Sequence, residues 1–235
     1  MLVSPDLKIL LEFNSLIPAS RVGAKLFWFL SNNPIFRSLP IFLSLGALWF
    51  QGNDRTRRAR MAVGLFAVCM ALGISIIVQG HFETRLHPSL DPALHLKGVG
   101  LGILPLDYGR PWSFPSDTAT LYFALSTVVL LANRKAGAVC MAWCLFTFGF
   151  MRIALGWHYP SDVAMGIALG SGLVFLLTRI KPLTAWVERL LERCEPRIYL
   201  VHAVFLLFLA EAYSEFPGIQ GILQGMKMIA SQIRK

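Results

Sequence analysis

The sequence predicts an all-helical integral membrane protein of about six spans, and three observations carry that expectation. Hydrophobic residues fill 55% of the 235 positions and charged residues only 15%, where a soluble domain carries roughly 25%. The mean hydropathy is +0.59. The apolar residues fall in long blocks, close to the roughly 17–25 residues that a bilayer-spanning helix needs. A chain of this length suits one bundle, so a single membrane domain over 1–235 is expected.

In chain order, residues 1–20 lack an early basic stretch ahead of an unbroken apolar core. They read as an amphipathic segment at the membrane surface rather than a cleavable signal peptide. Spans are predicted near 35–51, 60–79, 117–133, 137–157, 160–178 and 198–215, the first crowded by Arg37 and Pro40. Residues 216–235 read as a closing surface helix. The loop 80–116 is long for a helix connection, and such loops are commonly functional or disordered. Trp28, Trp49, Trp112 and Trp157 lie near span ends and suit an interfacial aromatic belt.

The net charge of +9 follows loops, not one helical face, so anionic lipid headgroups are the expected partner and nucleic acid is not. Arg55, Arg57, Arg58 and Arg60 follow the first span, Arg134 and Lys135 the third, and Arg179, Lys181, Arg189, Arg193 and Arg197 the fifth. These turns alternate onto one side, which the positive-inside tendency makes cytoplasmic. The loop 80–116 and the turn near 152–160 then face outward. Cys69, Cys140, Cys144 and Cys194 form no CxxC pair, and no histidine or carboxylate stands beside Cys140 and Cys144. They read as small buried hydrophobes, and no metal or cofactor is expected. The glycines of 97–102 follow no strand and lack a GK[ST] ending, so they read as loop.

A short echo marks the outer side. Phe114-Pro115-Ser116-Asp117 opens the third span and Tyr159-Pro160-Ser161-Asp162 opens the fifth. Proline suits a first helical turn, and Ser and Asp satisfy its unpaired N–H groups. Plain capping explains the pattern; so does a phosphate site, because a helix N-terminus attracts anions. Between two apolar runs stand Arg152, His158 and Asp162. Arginine offers a permanent fork matched to phosphate oxygens. Histidine attacks phosphorus through one ring nitrogen if the other is held, and Asp162, four residues on, is close enough to hold it.

These residues resemble the type 2 phosphatidic acid phosphatase superfamily, over about residues 60–180. Its last motif, Arg, five residues, His, three residues, Asp, stands intact as Arg152, His158 and Asp162. Its middle motif, Pro-Ser-Gly/Asp-His, reads Pro115-Ser116-Asp117-Thr118, and its first, Arg-x-Arg-Pro, reads Arg85-Leu86-His87-Pro88 without the preceding lysine. The resemblance implies that His158 is the nucleophile, forming a phosphohistidine, and that Asp162 orients it. It implies a phosphoryl clamp of Arg152, Ser116 and Arg85, with Asp117, Thr118 and His87 beside it and no metal. Thr118 stands where the family's proton donor does, and His87 where it has an arginine. Arg110, Lys97 and His95 lie in the same loop as substitutes. The expected activity is phosphoryl chemistry on a lipid phosphate or prenyl diphosphate at the outer membrane face. A phosphotransferase and a non-catalytic lipid-phosphate binder or transport factor are the alternatives.

Overall fold

A computed structural model describes residues 4–52, 54–81, 85–97 and 111–215. The segment 216–235, Arg110 and most of the glycine-rich loop lie outside the described residues. The described residues form helices and turns with one isolated antiparallel bridge, Leu86 to Trp112. The chain divides into two units, Met1–Glu188 and Arg189–Lys235.

The first unit holds α1 (Pro5–Ser15), α2 (Arg21–Asn32), α3 (Pro34–Phe50), α4 (Arg55–His81) and α5 (Asp117–Ala132). It continues through α6 (Arg134–Ala154), α7 (Pro160–Arg179) and the first part of α8 (Lys181–Arg193). The second unit holds the end of α8 and α9 (Ile198–Tyr213). Four stretches are long and apolar enough to cross a membrane: Arg55–Gly80, Arg134–Ala154, Pro160–Arg179 and Glu195–Tyr213. The expected six spans therefore reduce to four of full length among the described residues. The other two expected positions are occupied by α3, of 17 residues, and α5, of 16.

The centre of the first unit is α5. It packs against α4, α6 and α7, and every residue from Thr118 to Val129 is buried. Its sequence is apolar on all sides, as a helix enclosed on all sides must be. Two glycines on α7 set how close α5 and α7 come. A Cβ at Gly166 would lie 2.7 Å from the Ser116 carbonyl oxygen, and one at Gly170 2.3 Å from that of Thr120. Small residues four apart let helix backbones meet in this way.

The second device is α6. Its opening α-helix, Arg134–Cys144, passes into a π-helical stretch, Leu145–Phe150, and a last turn, Met151–Ala154. Single π turns often mark functional sites, and this one delivers Arg152. The chain then reverses at Gly156, whose φ of +74° suits glycine.

The N-terminal segment does more than lie on a surface. On α1, Asn14 donates from Nδ2 to the Ala154 carbonyl at 2.7 Å. Ile17 and Ala24 pack with Ala154, Leu155 and Trp157, bordered by Phe13, Phe27, Trp28 and Phe150. The aromatic-belt expectation fails for Trp157 and Trp49, which are only 5% and 3% exposed because neighbouring helices cover them. The buried-hydrophobe expectation holds for Cys140 and Cys144, whereas Cys69 and Cys194 are only half-buried; all four thiols are free.

The start of α4 and the ends of α5 and α7 meet around a cleft of about 480 Å³ lined by Thr56, Arg60, Leu131, Arg179, Lys181 and Glu188. The opposite end joins the N-termini of α5 and α7. The 20 residues of α7 separate the two ends by about 30 Å.

Candidate active site

Two short extended segments build the floor of this second end. His87 N donates to the Pro111 carbonyl at 3.0 Å and Ser113 N to the Arg85 carbonyl at 2.9 Å, on either side of the Leu86–Trp112 bridge. This ribbon carries Arg85, His87 and Ser113 to the turn between α6 and α7. The start of α5 is tied to the same place. Gln79 on α4 donates from Nε2 to the Pro115 carbonyl at 2.5 Å, and Ser116 N donates to the Asp162 carbonyl at 3.1 Å.

His158 is buried in this turn. Its Nδ1 lies 3.0 Å from the Ser113 carbonyl oxygen and 3.9 Å from Asp162 Oδ2. A carbonyl only accepts, so Nδ1 carries the proton and Nε2 presents its lone pair. Burial, followed by the nearby His87 and Arg152, pushes the imidazole well below its usual value of 6.5. The ring is therefore neutral at pH 7, the form in which an imidazole is a nucleophile.

Asp162 is fully buried and works harder on its surroundings than on His158 directly. Its Oδ1 accepts from Arg85 Nε at 3.1 Å and Nη2 at 2.5 Å, and its Oδ2 accepts from Tyr159 N at 2.8 Å. The bond from Tyr159 N is the capping interaction expected at this helix start. Arg85 is a hub. It also pairs with Asp6 Oδ2 at 2.6 Å, bonds the Ser161 hydroxyl, and stacks 3.9 Å from the Tyr159 ring centroid. Its guanidinium braces the turn, where the sequence expectation had it on the phosphoryl oxygens. Arg152 is buried with its guanidinium 3.9 Å from the Trp157 ring centroid.

His87 stands against His158, ring centroids 5.0 Å apart and tilted by 62°. Its Nδ1 bonds the Trp157 carbonyl. Burial lowers it below its usual value, against the opposing pull of that carbonyl and the Asp117 and Asp162 charges. Ser116 caps α5 through Ala119 N at 3.3 Å and lies 3.3 Å from the buried Thr118 hydroxyl. Asp117 Oδ1 accepts from Thr118 N at 2.7 Å.

Lys97 is not brought into the cluster. Its ammonium donates to the Ser15 and Ile17 carbonyls at 2.5 and 3.3 Å, closing the C-terminus of α1. The physical reason is proximity: the unpaired carbonyls at that helix end meet the 85–97 segment first. Among the described residues no group of three His, Cys, Asp or Glu could hold a metal ion.

Sequence reasoning missed Ser113, whose carbonyl holds His158, and Asp6, whose carboxylate accepts from Ser161 N at 2.9 Å and Ser161 Oγ at 2.7 Å. Ser113 acts through its backbone, which no residue type reveals. Asp6 lies 155 residues from Ser161, and nothing local signals the pairing. Burial would raise the Asp6 carboxyl, but hydrogen bonds from Ser161 and Arg85 outweigh it and hold the group below its ordinary value.

The site thus gathers a neutral imidazole with an unprotonated Nε2, a buried carboxylate and two arginines beside the starts of α5 and α7. The family model described as the PAP2 superfamily matches residues 65–186, and the chain belongs to that family. It is similar to undecaprenyl-diphosphatase BcrC of Bacillus subtilis (strain 168), 28% identical over 68% of this chain and 85% of that protein. It is also similar to bacitracin transport permease protein BcrC of Bacillus licheniformis, 30% identical over 67% of this chain and 75% of that protein. A shorter match, 39% identical over 29% of this chain and 28% of the relative, is to lipid A 1-phosphatase of Rhizobium etli. No solved structure gives a significant match.

Proposed function

We propose that this membrane protein is a phosphatase of prenyl diphosphates, with other lipid phosphates as the neighbouring substrate class, and that it works through a phosphohistidine at His158. The carrying observation is the tautomer: the Ser113 carbonyl occupies Nδ1 at 3.0 Å and leaves Nε2 as the nucleophile. The named relatives act on undecaprenyl diphosphate and on lipid A, which supports an amphiphilic phosphate substrate. Attack by Nε2 forms the N–P bond and expels the lipid-bearing oxygen; water then releases phosphate and regenerates the imidazole. Arg152 offsets the charge spread over the phosphoryl oxygens, and the N-termini of α5 and α7 add to it. Asp162 stabilises the charged imidazole and holds Arg85. The site would lie at the bacterial plasma membrane's outer surface, so that the tail stays in lipid.

The test is phosphate release from a long-chain prenyl diphosphate in detergent micelles. His158→Gln is expected to abolish release and to remove an acid-labile, base-stable phosphoryl label from the protein. Release that survives His158→Gln would refute the phosphohistidine. The phosphotransferase reading uses the same intermediate, and label appearing on an added lipid or sugar alcohol in place of water would favour it.

A further inference from the structure

The Thr118 hydroxyl is too weak an acid to protonate a leaving oxygen at neutral pH, and a general acid contributes about 10²–10⁴-fold. The ribbon that orients His158 offers an alternative. One of its segments supplies the Ser113 carbonyl to His158, and the other carries His87, whose ring lies 5.0 Å away. The two histidines are tied crosswise, since His87 Nδ1 bonds the carbonyl of Trp157, the residue before His158. That bond sets the His87 tautomer too. Nδ1 carries the proton of the neutral ring, and a second proton must enter and leave at Nε2.

We propose that His87 has taken over the proton-donor role at this site, protonating the leaving oxygen from Nε2 and later accepting the proton of the attacking water. This rests on the phosphohistidine reading. In the first step the His158 Nε2 lone pair forms the N–P bond. The P–O bond to the lipid breaks with its electron pair on oxygen, and that oxygen takes the His87 Nε2 proton, leaving His87 neutral. In the second step water attacks phosphorus and gives its proton to His87, while the N–P pair returns to His158. The enzyme ends as it began, and water is the co-reactant.

The surroundings suit a group that picks up its proton with the substrate. His87 faces Asp117 at the start of α5, Asp162 on α7, Arg152 at the end of α6 and His158 in the turn, with Arg85 on its own segment. Burial keeps it neutral in the empty site, and a bound phosphoryl anion reverses that balance.

The test uses leaving groups of graded basicity on the detergent-solubilised full chain: an alkyl monophosphate, an alkyl diphosphate and p-nitrophenyl phosphate. His87→Asn keeps an amide donor for the Trp157 carbonyl but cannot titrate, and His87→Ala removes both functions. His87→Asn is expected to lower kcat by about 10²-fold or more on the alkyl monophosphate, less on the diphosphate and less than about tenfold on the aryl ester. Equal losses on all three, or none, would overturn the assignment. Turnover surviving in His158→Gln would instead defeat the phosphohistidine itself. A dead His158→Gln with no leaving-group dependence in His87→Asn confines the failure to His87.

Discussion

At the residue scale the site is governed by which partner takes each polar atom. His158 Nδ1 is nearer to the Ser113 carbonyl than to Asp162, whereas Asp162 spends its closest contacts on Arg85 and the Tyr159 N–H. The carboxylate thus shapes the turn and supplies charge, and a backbone carbonyl sets the tautomer. Asp162→Asn keeps the volume but removes the charge that Arg85 pairs with and that the proposed phosphorylated imidazole would require. It is expected to cut kcat by about 10²-fold or more, the cost of a misplaced reacting group, with Arg85 still held by Asp6 at 2.6 Å. Steady-state kinetics on the purified variant, with far-ultraviolet dichroism to check folding, measures this. Undiminished kcat would remove Asp162 from the mechanism.

At the element scale the decisive contacts are the α5–α7 crossing and the docking of α1. Gly170→Val places carbon within 2.3 Å of the Thr120 carbonyl oxygen and must push the helices apart. Overpacking of this kind costs about 1–3 kcal/mol, and the Ser116–Asp162 backbone bond of 3.1 Å lies on the same crossing. Both thermal stability and activity are expected to fall. Gly172 is the control, because a Cβ there meets nothing within 4 Å; Gly172→Ala is expected to preserve both, measured by thermal unfolding in detergent and by phosphate release. Docking of α1 depends on Asn14 and Asp6, which grip opposite sides of the turn. A lost buried hydrogen bond leaves its partner unsatisfied at about 1–3 kcal/mol, so this short amphipathic helix contributes to the site it covers.

At the scale of the whole molecule, two imidazoles are kept neutral beside one another. In the unfolded chain each would titrate near 6.5, and in the folded protein burial sets both lower. Below pH 6.5 the unfolded state therefore binds more protons than the folded one. Stability is expected to be level above that pH and to fall as the pH drops below it. Thermal unfolding from pH 7.5 to 5 reads the slope, and His87→Asn is expected to make it shallower. A slope of the opposite sign would mean that these rings are charged in the folded protein.

The membrane class, the Arg152–His158–Asp162 motif and the paired helix starts at Ser116-Asp117 and Pro160-Ser161-Asp162 can be read directly from the chain. These are legible because hydropathy and helix-terminus chemistry are local. The packed fold alone reveals that Arg85 braces Asp162 and Asp6, that Lys97 closes α1, that Ser113 orients His158 through its carbonyl, and that His87 lies against the same ring. Those contacts join residues 45 to 82 positions apart through backbone atoms and buried charges, and no local pattern of side-chain types records which acceptor lies nearest.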